Sequence, residues 1–321
     1  MKNRILSFGE ILQRLSPADS ENIETAHIFE SNFGGSEANT LITLSSLGND
    51  CSFITVLPDN ELGKAAATHL TTNDIDLSFT KFSGDILGIY YFERGFGSLS
   101  SKVIYNRSAS EIAKISPDSF QIDYNEVFSN CSLFHISGIS FALSEGCRNL
   151  CFQLIKEAKS RGIPVSFDFN YRSKLWSVET AKPVYEEIMK YVDVLFCSTL
   201  DLTTFLSVNA DNFYDKYDCE YLVVRDREIV NETTHKVKAL MCHKTPKLTE
   251  RYSIPEKEFK VLDRVGSGDA FNAGVLHLLL KNRHIKEVLD FGIAVFIAKH
   301  SVKGDVLSFS EKNFNIANVQ H

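Results

Sequence analysis

The chain has 321 residues, 44% of them hydrophobic and 23% charged, the composition of a soluble globular protein. Its 34 basic and 41 acidic residues leave a formal charge of −7, which offers no general attraction to nucleic acid or anionic lipid; an anionic substrate would need a local cluster of positive groups. Seven cysteines without a CxxC pair, a start ("MKNRILSFGEILQRLS") too polar for a signal peptide, and no run of about 18 apolar residues predict a cytoplasmic protein with reduced thiols.

Residues 5–8 read as a first strand and 52–56 as another. Between them, residues 36–47 carry Ala38, Leu41, Ile42 and Leu44 at helical spacing, with Gly48 where a helix-ending glycine belongs. An alanine-rich helix over 61–73 follows, then a buried strand within 131–140 that ends in a glycine turn. Helix 145–161, strand 164–169, helix 178–190 and strand 192–196 continue the rhythm. An apolar "YLVV" at 221–224, a hairpin over 236–262 and helices near 268–281 and 284–301 complete it. Strands alternating with helices of ten or more residues predict an α/β protein with a mostly parallel central sheet.

Two stretches break the alternation. Residues 11–33 and 86–106 are extended and aromatic-rich with no helix, and "GIYYFERG" and "SKVIYNR" alternate as a hairpin does. They predict a small β-sheet projecting from the body. Without a repeat or a convincing linker, the expectation is one domain over 1–321, with a lid built from insertions around 11–33 and 86–110.

Four stretches carry chemistry. "VGSGDAF" at 265–271 joins a β-like run to a helix through a glycine turn, a layout that turns backbone amides and the helix dipole toward an anion. Asp269 there is either an N-cap or a carboxylate that takes a proton from an attacking hydroxyl. "NFGGSEAN" at 32–39 is either an ordinary turn or a place where Gly34 and Gly35 let a ligand approach the backbone, with Asn39 one turn on. In "FDFNYR" at 167–172, Asp168, Asn170 and Arg172 alternate and would project to one side of a strand, at the end where parallel sheets bind ligands. The Arg172 fork suits a carboxylate or phosphate, or else satisfies loop backbone. In "KVIYNR" at 102–107, Arg107 is either a solvated edge charge or, beside Tyr90 and Tyr105, a group that closes over a substrate.

Taken in order, these stretches resemble the PfkB/ribokinase family of sugar kinases, and within it the 2-keto-3-deoxygluconate (KDG) kinases. "DRVGSGDAF" is similar to the family's C-terminal signature and "NFGGSEAN" to its N-terminal glycine motif. "GEILQRLSP", "LPDNELG", "VIYNR", "FDFNYRSKLW" and "AKHSVKGD" extend the likeness from residue 9 to about 305. The resemblance implies a ribokinase-like three-layer α/β/α fold with a small β lid that forms a homodimer or higher homo-oligomer. It implies ATP and Mg²⁺, with no nucleic-acid or membrane partner. Asp269 would be the catalytic base and the amides of Gly266, Ser267 and Gly268 the anion hole. Gly34, Gly35, Asn39, Tyr90, Tyr105, Arg107, Asn170 and Arg172 would hold the sugar acid, Arg172 at its carboxylate.

One segment departs from the pattern. The family's Asn-x-x-Glu motif stands here as "STLD", placing Ser198 and Asp201 at the nucleotide end, and no residue is assigned to a metal. "VVRDREIVNE" lacks the family's usual glycines; its Arg225 either reaches phosphate or is a surface charge. His300 either lines the nucleotide pocket or is packed. The reaction expected is ATP-dependent phosphorylation of KDG at its terminal hydroxyl to give 2-keto-3-deoxy-6-phosphogluconate. The alternatives are a kinase for a neutral sugar of the fructose or ribose type, and a sugar-binding pseudo-kinase.

Overall fold

Side chains alternate across the strands and build a core on each face of one large sheet. In the strand Arg4–Phe8, Leu6 and Phe8 enter one hydrophobic cluster while Ile5 enters the other. Phe134 and Ile136 face away from Leu133 in the same way, and Leu222 and Val224 away from Val223. The computed structural model describes residues 4–18, 21–95 and 101–309. Within it the nine strands run in the order Thr249–Lys260, Thr234–Lys244, Tyr221–Asn231, Val194–Cys197, Val165–Asp168, Cys131–Ser137, Arg4–Phe8, Asp50–Ile54 and Ile75–Asp76. The first three strands pair antiparallel with one another, and every neighbouring pair from Tyr221–Asn231/Val194–Cys197 onward is parallel.

Helices Ser36–Ser46, Glu61–Thr72, Ser267–Leu280 and Ile285–Lys299 cover one face; Gly138–Ala142, Glu145–Ser160 and Val178–Ile188 cover the other. This is the expected three-layer arrangement. Chemistry sets the helix starts: Ser144 and Ser177 accept from the amides of Cys147 and Thr180, and Asn60 from Leu62 and Gly63. Three boundaries differ from expectation. The strand predicted to 169 stops at Asp168, and Gly138 opens a short helix rather than a plain turn. "YLVV" is only the start of an eleven-residue strand, because its antiparallel partner extends the pairing past the apolar run.

A second sheet of four strands, Phe29–Gly34, Leu12–Pro17, Ile89–Glu93 and Lys102–Asn106, forms from the two stretches that broke the helical rhythm. Arg14, Tyr90 and Tyr105 lie in one row across three strands on the face toward the body. Leu15, Tyr91 and Ile104 lie in the next row, on the other face, with Ile104 52% exposed. Among the described residues no helix is long and apolar enough to cross a membrane, and all seven cysteines are free thiols.

A buried charge triad ties this sheet to the body. Arg14 donates to Asp305 at 2.8 Å and to Asp263 at 3.0 Å, and its guanidinium lies 4.3 Å from the centre of the Phe92 ring. All three charged side chains are at most 7% exposed. Removing the cation would strand two carboxylates out of water, which is the costly way to break a buried pair. Arg14→Met is expected to lower stability by about 3–5 kcal/mol, read as a lower urea midpoint at an unchanged denaturant slope.

Candidate active site

The carboxyl ends of the parallel strands meet where the chain order reverses, since Arg4–Phe8 lies between Cys131–Ser137 on one side and Asp50–Ile54 on the other. Here lies a cavity of about 580 Å³, floored by the strand ends and the start of helix Ser267–Leu280 and roofed by the inner face of the four-stranded sheet. Every candidate residue borders it except His300.

Asp269 is at its centre and is not a helix cap. The helix begins at Ser267 with Gly266 as N-cap, and Gly266 has φ +75°, where a Cβ would also fall 1.7 Å from the Asp305 carbonyl. Asp269 turns away from its own helix start and accepts from Ser36 Oγ at 2.9 Å and Asn39 Nδ2 at 2.8 Å. Burial pushes its carboxyl up to about 6; Asn39 resists the rise, nearby Asp168 adds to it, and Ser36 and Arg172 oppose it. The amide of Ser267 leans on the Arg264 carbonyl at 3.4 Å. Among the described residues, the amides of Gly266, Gly268 and Asp269 have no protein acceptor, whereas that of Ser267 does.

The glycine pair borders the cavity and is hemmed in by the protein. A Cβ on Gly34 would fall 2.1 Å from an Asp305 carboxylate oxygen, and one on Gly35 would fall 1.9 Å from the Glu10 carbonyl. The close approach they permit is that of the protein itself. Asn39 is likewise spent on Asp269. Ser36, which no motif reading singled out, is the hub: it donates to Asp269 and accepts from Asn170 Nδ2 at 2.7 Å.

Asp168, Asn170 and Arg172 do not alternate along one strand as expected. The strand ends at Asp168, whose Oδ1 accepts from the Asn170 amide at 3.1 Å. Asn170 sits at φ +38°, and that turn, rather than a strand period, brings all three residues to the cavity. Asp168 Oδ2 accepts from Asn272 at 2.7 Å. Arg172 is exposed on the cavity wall, with no ion-pair partner among the described residues.

Under the roof, Arg107 is neither an edge charge nor a free one. It is buried, ion-paired with Glu10, and placed over the Tyr105 ring at 4.3 Å. Tyr105 in turn packs on Tyr90, whose hydroxyl donates to Asp305. At the far end Ser198 and Asp201 satisfy each other. The Asp201 carboxylate accepts from the Ser198 amide at 2.8 Å and hydroxyl at 2.7 Å, a capping box on a short helical turn. Arg225 lies over the rings of Phe271 and Phe296 at 5.1 and 4.6 Å, so it is no surface charge. His300 is a correction: it is fully buried, its Nδ1 is 2.8 Å from the Phe296 carbonyl, and its ring packs on Phe259 and Phe296 away from the cavity.

A parallel sheet bearing a carboxylate, free helix-terminal amides and a roofing sheet defines the ribokinase-like class. The family model described as pfkB family carbohydrate kinase matches residues 2–305, and the chain belongs to that family. It is 32% identical over 313 residues to a 2-dehydro-3-deoxygalactonokinase of Haloferax volcanii, covering 95% of this chain and 93% of the relative. Among solved structures it is similar to a PfkB family carbohydrate kinase from Listeria grayi, with TM-score 0.93, 31% identity and coverage of 99% and 100%. It is also similar to a 2-dehydro-3-deoxygluconokinase from Thermotoga maritima, with TM-score 0.91, 29% identity and coverage of 99% and 98%.

The Asp269 environment has a cost that can be measured. Its folded value near 6 lies above its ordinary 3.8, so the folded state holds this proton more tightly than the unfolded chain does. Stability is therefore lost as pH rises from about 4 to about 6, on the order of 3 kcal/mol at 1.36 kcal/mol per unit. Asp269→Asn is expected to melt higher than wild type at pH 7.5 and to lose that advantage at pH 4, as followed by differential scanning calorimetry.

Proposed function

We propose that this protein phosphorylates a sugar acid with ATP and Mg²⁺, and that the acid is 2-keto-3-deoxygluconate (2-dehydro-3-deoxygluconate), attacked through its terminal hydroxyl to give 2-keto-3-deoxy-6-phosphogluconate. The observation that carries the reading is the pairing, in one cavity, of a buried carboxylate tuned to about 6 with a free guanidinium, Arg172.

In this reading Asp269 takes the proton of the terminal hydroxyl as that oxygen bonds the γ-phosphorus. The bond from γ-phosphorus to the β–γ bridging oxygen breaks, and ADP leaves with its electron pair. The free amides of Gly266, Gly268 and Asp269 receive the charge carried by the transferring group. Asn39 and Ser36 hold the base in place, and Asn170 offers its remaining polar capacity to a sugar hydroxyl. Tyr90, Tyr105 and Arg107 shape the roof that excludes water from the transfer. Arg172 pairs with the acid's carboxylate, which explains how a chain of charge −7 holds an anion.

Mg²⁺ would supply charge neutralisation on the donor's phosphates. Among the described residues no cluster of three or more His, Cys, Asp or Glu forms a metal cage, which suits a cation carried largely by phosphates and water, with Asp168 and Asp201 as the nearby carboxylates.

The outer face of the roofing sheet places Leu15, Tyr91 and Ile104 in register, with Phe29 edge-on to Tyr91; Leu15 and Tyr91 are half-exposed and Ile104 is 52% exposed. We propose that a second copy of this chain covers it, and that Ile104→Asp yields a monomer by light scattering where wild type is at least a dimer. An undivided mass for both proteins would refute the assignment.

Kinetic outcomes test the reaction. Asp269→Asn is expected to lower kcat by about 10²–10⁴-fold with folding intact, and the wild-type kcat/KM should fall tenfold per unit below pH 6 as the base is protonated. Arg172→Ala should raise KM for the sugar acid about 10–100-fold, the value of a charge-assisted pair. Coupled ADP release over KDG, its galacto epimer, gluconate, fructose and ribose decides between acid and neutral sugar; equal wild-type turnover of ribose or fructose would sink the sugar-acid assignment.

A further inference from the structure

Four arginines border the cavity without a carboxylate partner among the described residues: Arg172, Arg225, Arg227 and Arg264. Their concentration is unusual in a chain with a net charge of −7. A sugar acid brings one negative charge, and Arg172 suffices to meet it. Three further cations call for a ligand with several charges close together.

The placement of those three is specific. Arg225 and Arg227 stand two residues apart on the strand Tyr221–Asn231 and so lie on one side of it. Arg225 is held by Phe271 and Phe296, its Nε is buried without a hydrogen-bond partner, and its Nη2 reaches the start of helix Ser267–Leu280, 3.0 Å from where a Cβ of Gly268 would stand. Arg264 precedes the Gly266 turn and gives its carbonyl to Ser267. Arg225 reaches the helix start, and Arg227 and Arg264 border the same cavity into which its free amides open. Arg227, although exposed at the cavity mouth, feels this crowding: desolvation by the surrounding protein, then repulsion by Arg225, Arg264 and Arg172, lowers it to about 10. Asp168, Asp269, Asp226 and Asp201 act on Arg225 in that order without ion-pairing to it; Asp168 accepts from Asn272, Asp269 from Ser36 and Asn39, and Asp201 and Asp226 from Ser198 and Thr199, with Lys238 3.8 Å from Asp226.

We propose that Arg227 and Arg264, together with Arg225, form a polyphosphate subsite that grips the terminal phosphates of the phosphoryl donor. The proposal rests on the kinase reading for the identity of the donor, but the recognition it describes is of a phosphate chain and not of a base or sugar. Like charges confined without counter-ions destabilise the free protein, and a bound polyphosphate cancels that repulsion. The subsite leaves Arg172 to the acceptor.

The test is isothermal titration calorimetry of the full chain with inorganic tripolyphosphate, ATP, AMP and KDG, in EDTA and again with Mg²⁺. Arg227→Gln and Arg264→Gln are each expected to weaken tripolyphosphate and ATP at least tenfold in EDTA, with AMP and KDG changed by less than about twofold, the span of a near-neutral surface substitution. Without ligand both variants should melt at or above the wild-type temperature, because repulsion is relieved. Arg264→Lys, which keeps the charge but not the fork, should bind tripolyphosphate between wild type and Arg264→Gln, and it replaces Arg264→Gln if that variant fails to fold. Unchanged tripolyphosphate affinity in both Gln variants would overturn the subsite, as would a loss that falls on KDG instead. A wild type that binds tripolyphosphate through these arginines yet neither binds ATP nor turns over would sink the kinase reading while leaving the subsite standing.

Discussion

Burial of the Asp269 carboxylate between two helices is the constraint from which the rest of the site follows. The group lies where helix Ser267–Leu280 meets helix Ser36–Ser46, and its two donors, Ser36 and Asn39, come from the second of these. Those partners are more than 220 residues away in the chain, so the site exists only once the whole sheet has closed. Glycine is required at 34, 35 and 266 because the backbone segments that carry these groups press against Asp305 and Glu10. The same Asp305 anchors Arg14 and Tyr90 of the roofing sheet, so base, turn and roof share one buried point of attachment.

Electrostatics inside the cavity divide along its length. Under the roofing sheet the buried charges are paired, Glu10 with Arg107 and Arg14 bridging Asp263 and Asp305, while Arg172 stands exposed without an ion-pair partner among the described residues. Toward Ser198, Arg225, Arg227 and Arg264 have no ion-pair partner among the described residues, and the carboxylates of Asp201 and Asp226 accept from serine and threonine hydroxyls. A pocket with paired buried charges under its roof and unpaired arginines toward Ser198 orients a substrate pair whose charge is unequally distributed. Asp269 lies at the junction, where burial raises its carboxyl and the hydrogen bonds from Asn39 and Ser36 keep it from rising further.

Much of this was legible in the sequence, for physical reasons that differ by feature. The layered fold follows from helical periods such as Ala38, Leu41 and Leu44 alternating with short apolar strands, and the roof from the absence of any such period in two stretches. Both are local patterns, and local patterns survive in a one-dimensional text. The glycine turn and Asp269 were visible too, because positive φ and a helix start leave composition signals. Whether Asp269 capped its own helix was not visible, since the answer depends on Ser36 and Asn39 arriving from elsewhere. Arg107 could not be distinguished from an edge charge without Glu10 across the fold. The FDFNYR reading expected a strand period to gather these residues, and the Asn170 turn instead brings the same three side chains to the cavity. His300 sits in a motif-like stretch, yet its ring belongs to an aromatic core assembled from the hairpin and the last helix. Arg227 and Arg264 escaped notice because each alone reads as an exposed charge.

The "STLD" departure and the arginine group are then two sides of one rearrangement. Where the resembled family places Asn and Glu, this chain has Ser198 and Asp201, and the shorter Asp201 arm folds back onto the Ser198 amide and hydroxyl. A carboxylate closed on its own turn contributes less to ordering a cation over the phosphates. Two residues beyond Arg225, in the strand that neighbours this turn, Arg227 places a fixed positive charge, and Arg264 places another beside the helix start. A guanidinium does for phosphate charge part of what a metal does, with a planar fork in place of exchangeable waters. On the proposed reading the shorter acidic arm and the arginines would work in the same direction: both would shift neutralisation of the donor phosphates from a held cation toward the protein itself.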